Sequence, residues 1–213
     1  MSKLKEAYDN FIQAVKVNRK ETGKGAFTLT NGPAPVIPMG KLAGSTLVSH
    51  RNEILNYMPK DAIFAEVGTL YGDFAKTIID MCNPSKLYCF DINFKRFNYD
   101  IHNDNVKSKK IELISGKSWV TLNKFPDNFF DVIYVDADHT YGAVRKDLSA
   151  ALLKIKPNGY IICNDFTNWA VGAMEAYGVY KAACEFIKEN DVQVTHLALQ
   201  PYCYFDLAFK VNK

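Results

Sequence analysis

Asp136, Asp138 and His139 crowd into one short stretch, Asp136-Ala137-Asp138-His139-Thr140-Tyr141. The apolar run before it, Phe130 to Val135, has the length and character of a buried strand. It delivers the three polar side chains to the carboxyl edge of a sheet, where open α/β sheets bind their ligands. Two carboxylates and an imidazole at a strand end are too costly to be ordinary core. A second run, Tyr160 to Cys163, brings Asn164 and Asp165 to the same edge. The bland alternative is a His139 that caps or packs the next helix.

A third group sits earlier in the chain. Glu66-Val67-Gly68-Thr69-Leu70-Tyr71-Gly72 follows a short apolar run, Ala62 to Ala65, and precedes apolar residues at helical spacing from Phe74 to Met81. This is a strand, a tight turn and a helix. Gly68 lets the backbone turn sharply, and Gly72 permits close approach of helix and ligand. The spacing is Gly-x-x-x-Gly and lacks the Gly-x-Gly-x-x-Gly of a dinucleotide site. Glu66, just before the first glycine, suits the cationic end of a ligand better than a phosphate. Asp91 ends the next apolar run, Leu87 to Phe90, about twenty residues after the turn, where a carboxylate accepts ribose hydroxyls. The alternative is an N-cap for a helix starting near Phe94. Turn and aspartate together point to a nucleoside ligand. Gly116-Lys117-Ser118-Trp119 ends a third alternating run, Ile111 to Ser115. Ser118 or a backbone N–H is placed to bond an adenine edge and Trp119 to lie on its face. A capped helix start with a core tryptophan accounts for them equally well.

The elements that position these groups follow in order. Residues 2 to 18 read as an amphipathic helix carrying Leu4, Tyr8, Phe11, Ile12 and Val15 on one face. The stretch from Thr22 to Gly44 is rich in glycine and proline and reads as a loop able to close over a ligand. Ser49 caps a short helix. Helices are expected over 144–155 and 172–189, and two strands, 192–199 and 202–211, as a closing antiparallel hairpin. Alternating strands and helices predict an α/β, doubly wound, mainly parallel sheet with helices on both faces. The 213 residues fit one domain with an appendage. A net charge of +3 and the absence of a basic stripe give no reason to expect nucleic acid as partner. No apolar run is long enough for a membrane span. Five scattered cysteines without Cys-x-x-Cys suit a reducing cytoplasm and give no zinc spacing.

This series resembles the class I S-adenosylmethionine-dependent methyltransferases over about residues 50 to 211. Glu66 to Gly72 is similar to that family's first motif, Asp91 to its ribose-binding acid, and Gly116 to Trp119 to the adenine segment of small-molecule O-methyltransferases. Val135 to Tyr141 resembles an Asp-x-x-His-x-Tyr signature of the macrocin and catechol subgroups. The resemblance implies a seven-stranded Rossmann-like fold over 50–213, preceded at 1–49 by a helix and lid or cap segment. It implies S-adenosylmethionine as cofactor, held by Glu66, Gly68, Thr69, Leu70, Tyr71, Gly72, Asp91, Ile92, Ser118, Trp119 and Asp136. It further implies transfer of a methyl group to a hydroxyl of a small molecule. His139 falls where the catechol enzymes keep a basic lysine and would be the general base. Asp136, Asn164 and Asp165 would hold Mg²⁺, although the catechol pattern has the Asp-Asn order reversed. A metal-free version and an inactive cofactor-binding protein are the competing readings. Nicotinamide dehydrogenases lack this glycine spacing, and nucleic-acid methyltransferases carry an Asn-Pro-Pro-Tyr type of motif that is absent here. The acceptor is not named by the sequence. Phe27, Tyr141, Phe166 and Trp169 are candidates to line its pocket, and a homo-oligomer is left open.

Overall fold

A computed structural model describes residues 2–25 and 31–213 and divides the chain into two compact units, 1–33 and 34–213. Phe27 lies outside the described residues. The first unit holds α1 (Lys3–Thr22), longer than its apolar pattern predicts. Ser2 caps it by accepting from the Lys5 N–H at 3.2 Å, and Gly23 closes it in the left-handed region at φ 72°. None of its residues is buried. The apolar stripe is therefore only partly covered, and Leu4 and Tyr8 are exposed.

The second unit begins before the expected boundary at residue 50. It opens with α2 (Met39–Leu42), β1 (Thr46–Val48) and α3 (Arg51–Ile54), followed by a 3-10 turn at Leu55–Tyr57. The cap of α3 is His50, whose ring nitrogen accepts from the Asn52 N–H. Ser49 instead sends its N–H and hydroxyl to the Glu53 carboxylate, at 2.9 and 2.8 Å. Then come β2 (Ile63–Val67), α4 (Asp73–Cys82), β3 (Lys86–Asp91), α5 (Tyr99–Lys107), β4 (Ile111–Ser115), α6 (Ser118–Leu122), β5 (Phe130–Val135) and α7 (Tyr141–Lys154). The chain ends with β6 (Ile155–Cys163), β7 (Trp169–Ala170), β8 (Glu175–Ala176), α8 (Val179–Glu189), β9 (Val192–Ala198) and β10 (Asp206–Val211).

The main sheet has eight strands in the order β1-β9-β10-β6-β5-β2-β3-β4. Seven were expected; the extra one is β1, three residues just after the presumed loop that pair parallel with β9. β10 runs antiparallel between β6 and β9, so the closing hairpin is not the edge of the sheet. The central strands are apolar on both faces. Ala65, Val67, Ile133 and Val135 pack into one core with α7 and α8, while Phe64, Val132 and Tyr134 pack into another with α4. Each fully buried large side chain of this kind contributes roughly 1.5–3 kcal/mol.

Three further differences have local causes. α5 starts at Tyr99 rather than near Phe94, because Asn98 caps it by accepting from the Asp100 N–H while Asp91 is engaged elsewhere. β6 begins directly after α7 and carries a register shift opposite Phe130–Val132, with Asn158 at φ 63°. The helix expected from residue 172 starts only at Val179, preceded by the β7–β8 pair. Gly178 packs against the Tyr141 backbone so tightly that a Cβ would overlap it, and its N–H donates to the His139 carbonyl at 2.7 Å.

A buried polar knot ties β5, β6 and β10 together. Asp206 is fully buried and accepts from the Tyr134 hydroxyl (2.6 Å), the Asn164 amide (3.0 Å) and the Gln200 amide (2.5 Å). Removing that acceptor strands three donors. Asp206→Ala is expected to destabilise the fold by roughly 2–4 kcal/mol and Tyr134→Phe by only about 1 kcal/mol, read by urea unfolding. Equal effects would show that the knot does not centre on Asp206.

Candidate active site

The turn after β2 is built on contact between two strand ends. Gly68 has φ 93°, and a Cβ there would overlap the Asp136 carbonyl. Its N–H donates to Phe90 O at 2.7 Å, and the Asp136 N–H donates to Val67 O at 2.7 Å. Leu70 takes the left-handed conformation at φ 49°, and its N–H donates to Asp91 Oδ2 at 2.8 Å. Gly72, at φ 85°, starts α4, but packing accounts for it. A Cβ would meet the Phe97 ring at 2.7 Å and His102 Nε2 at 2.8 Å. His102 is buried and its Nε2 lies 2.9 Å from Gly72 O. Gly72 is not among the described residues lining the cleft below, and the contacts seen at it are packing contacts.

That cleft measures about 650 Å³ and runs along the carboxyl edge of β2, β3, β4 and β5. One end is walled by Thr69, Leu70, Tyr71, Asp91, Ile92 and Trp119. Asp91 keeps both oxygens on backbone N–H groups, of Leu70 and of Asn93 (3.3 Å), which fixes the carboxylate at the strand tip. Trp119 is half-buried, with the Lys117 and Lys146 ammonium groups 5.9 and 5.0 Å from its ring. Ser118 also lines the cleft, and its hydroxyl donates to Asp147 Oδ1 at 2.5 Å.

The other end collects charge. His139 Nε2 stands 3.4 Å from Asp136 Oδ1 and 3.6 Å from Asp165 Oδ2. Its ring stacks on Tyr177, with centroids 4.4 Å apart and planes 10° from parallel. Burial alone would lower the imidazole pKa, but the carboxylates of Asp136, Asp165 and Asp138 outweigh it and raise the pKa. Burial pushes Asp165 up to about 6, and neighbouring Asp136 adds to that against His139. Arg51, from α3, sits 3.8 Å from Asp136, with its guanidinium 4.5 Å from the Phe74 ring centroid.

The residues expected to hold Mg²⁺ do not fit one. Asn164 is buried, its side-chain NH₂ donates to Asp206, and it is not among the described lining residues. His139 lies between Asp136 and Asp165, and Arg51 stands beside Asp136. Among the described residues no group of three or more His, Cys, Asp or Glu is arranged to take a metal ion. Tyr141 sends its hydroxyl to Glu185 at 2.6 Å, and Phe166 belongs to the core; neither they nor Trp169 is among the described lining residues. Sequence reading missed Arg51, Tyr134, Asp147 and Asp206. Asp206 alone left a signal, a single acid at the start of an apolar run.

Glu66 faces the cleft from β2, yet it is 1% exposed. Burial pushes its carboxyl up to about 8, and the charge of Asp136 adds to this. A carboxyl so raised is protonated in the folded chain and ionised in the unfolded one across the window from its ordinary value of 4.5 to about 8. Its contribution is therefore present in full below pH 4.5 and lost as pH rises through about 8. Glu66→Gln is expected to gain stability over the parent across that window, by up to about 1.4 kcal/mol per pH unit. Parallel stability-pH curves for the two proteins would contradict the buried, neutral Glu66.

Comparison with known proteins places this geometry. Residues 65–166 match the family described as a methyltransferase domain. No curated protein sequence matches the chain. Among solved structures, the precorrin-6y C5,15-methyltransferase of Geobacter metallireducens superposes with a TM-score of 0.54 at 14% identity, over 76% of this chain and 86% of that one. A Streptococcus mutans protein described as a methyltransferase, solved in complex with SAH, gives 0.54 at 14% identity over 75% and 94%. The pyocyanin biosynthetic protein PhzM gives 0.57 at 13% identity over 75% of this chain, which spans only 53% of it. Residues 65–166 thus match a methyltransferase domain, and the chain shares its fold with these methyltransferase structures.

Proposed function

We propose that the chain transfers a methyl group from S-adenosylmethionine to a hydroxyl of a small molecule, without a metal ion and with His139 as general base. The observation that carries this is the His139 imidazole held at the cleft between Asp136 and Asp165. The cleft is of the size that takes a small ligand. Its described lining holds four aspartates, Asp73, Asp91, Asp136 and Asp138, beside the neutral Glu66 and against the cations Arg51 and Lys117. That balance supports a ligand bearing positive charge and disfavours a pyrophosphate.

S-adenosylmethionine, when bound, supplies a methyl already activated by its sulfonium. The protein's work is then to position an acceptor and remove its proton. Nε2 of His139 is buried facing two carboxylates, which favours the tautomer with the proton on Nε2. Nδ1 is left to take the proton of an acceptor hydroxyl. Asp136 and Asp165 then stabilise the imidazolium, and stacking on Tyr177 holds the ring plane. Alignment of acceptor and methyl in one cleft does much of the remaining work.

Calorimetry is expected to show binding of S-adenosylhomocysteine and none of NAD. Asp91→Ala should weaken that binding roughly 10–100-fold, through loss of a charge-assisted partner; tighter binding of NAD would overturn the cofactor assignment. In an acceptor screen with labelled cofactor, His139→Ala should cut turnover about 10²–10⁴-fold with cofactor affinity nearly intact. The acid limb of the rate should lie above the ordinary histidine value of 6.5, with activity rising as pH passes through it. Exhaustive chelation should leave turnover unchanged, and loss of turnover restored by Mg²⁺ would contradict the metal-free mechanism.

A further inference from the structure

We infer that Asp147 is a positioning residue that makes Ser118 an acceptor-only group, so that the nucleoside end of the cleft selects a 6-aminopurine over a 6-oxopurine. The inference rests on the proposed nucleoside-bearing cofactor and goes beyond it, to which base is read and how.

Ser118 opens α6 and is 7% exposed, with its place in the cleft wall beside Trp119. A serine hydroxyl has one proton and two lone pairs. Here the proton goes to Asp147 Oδ1, 2.5 Å away. Asp147 projects from α7, is fully buried and is not among the described lining residues, so it acts from behind the wall. Its other oxygen, Oδ2, is buried without a hydrogen-bond partner. A buried aspartate with one oxygen unsatisfied is costly, and stability alone gives no reason for it. What it does supply is a direction. With its proton spoken for, the Ser118 oxygen meets a ligand with lone pairs only. An exocyclic amine, which donates, is welcome there. A carbonyl in the same position brings two acceptors together and leaves both unpaired.

The test is calorimetric and needs no turnover. S-adenosylhomocysteine and S-inosylhomocysteine differ at the 6-position, so their affinity ratio reads the discrimination. The parent protein should prefer the adenosyl compound about tenfold or more. In Asp147→Asn the amide can present either its oxygen or its NH₂ to Ser118. The hydroxyl is then free to turn and donate, and the ratio should fall toward one, mainly through tighter binding of the inosyl compound. Ser118→Ala should also lose the preference, with no gain for the inosyl compound. Thermal melts check that both variants are folded, and if Asp147→Asn is not, Ser118→Ala decides. A parent that binds both compounds equally, or an Asp147→Asn protein that keeps the full ratio, overturns the inference while leaving the cofactor assignment standing. A parent that binds neither compound overturns both.

Discussion

The site depends on the bare approach of Gly68 to the Asp136 backbone. Two parallel strands, β2 and β5, end side by side, and the chain leaving each must turn through the same space. A side chain on residue 68 would occupy the Asp136 carbonyl, and Asp136 could not then bond back to Val67. Everything at the charged end of the cleft follows from that contact. It sets Asp136 at the sheet edge, and three residues later His139 falls between Asp136 and Asp165. The left-handed turn at Leu70 reaches the other way and ties the same loop to Asp91 on β3. One glycine thus registers three strand tips against a single cleft.

Charge in this cleft is arranged by burial as much as by pairing. Glu66, Asp165, Asp147 and Asp206 all have carboxyls raised above their ordinary values, chiefly because water is excluded from them. Arg51 is the cation set among them, and His139 is the imidazole whose charged form they favour. A guanidinium near Asp136 offsets repulsion between the acids, the task for which the sequence suggested a divalent ion.

The parallel core was legible in the sequence. β2, β3, β4 and β5 announce themselves as short apolar runs because both of their faces are covered, and the polar residues that end them mark the ligand edge. Asp91, Asp136 and His139 could be placed on that logic alone. The parts that could not be read are those decided by tertiary contact. β1 is three residues whose strand conformation comes from β9. α8 starts late because Gly178 must lie against Tyr141. Gly72 looks like a ligand glycine, but its neighbours are Phe97 and His102, which arrive from far along the chain. The partner of Asn164, Asp206, could not be read either, because it lies on a strand 42 residues further on.

The knot around Asp206 carries one more consequence, about what counts as a unit of this protein. The stretch that matches the methyltransferase family is 65–166, but it stops short of two groups that shape its acidic wall. Arg51 comes from before it and Asp206 from after it. Tyr134 and Asn164, both inside the stretch, would lose their Asp206 acceptor without it. The segment that similarity recognises is therefore smaller than the segment that can fold. A graft cut at its borders would carry the signature residues and lose Arg51 of α3 and Asp206 of β10, which hold Asp136, Tyr134 and Asn164 from outside it.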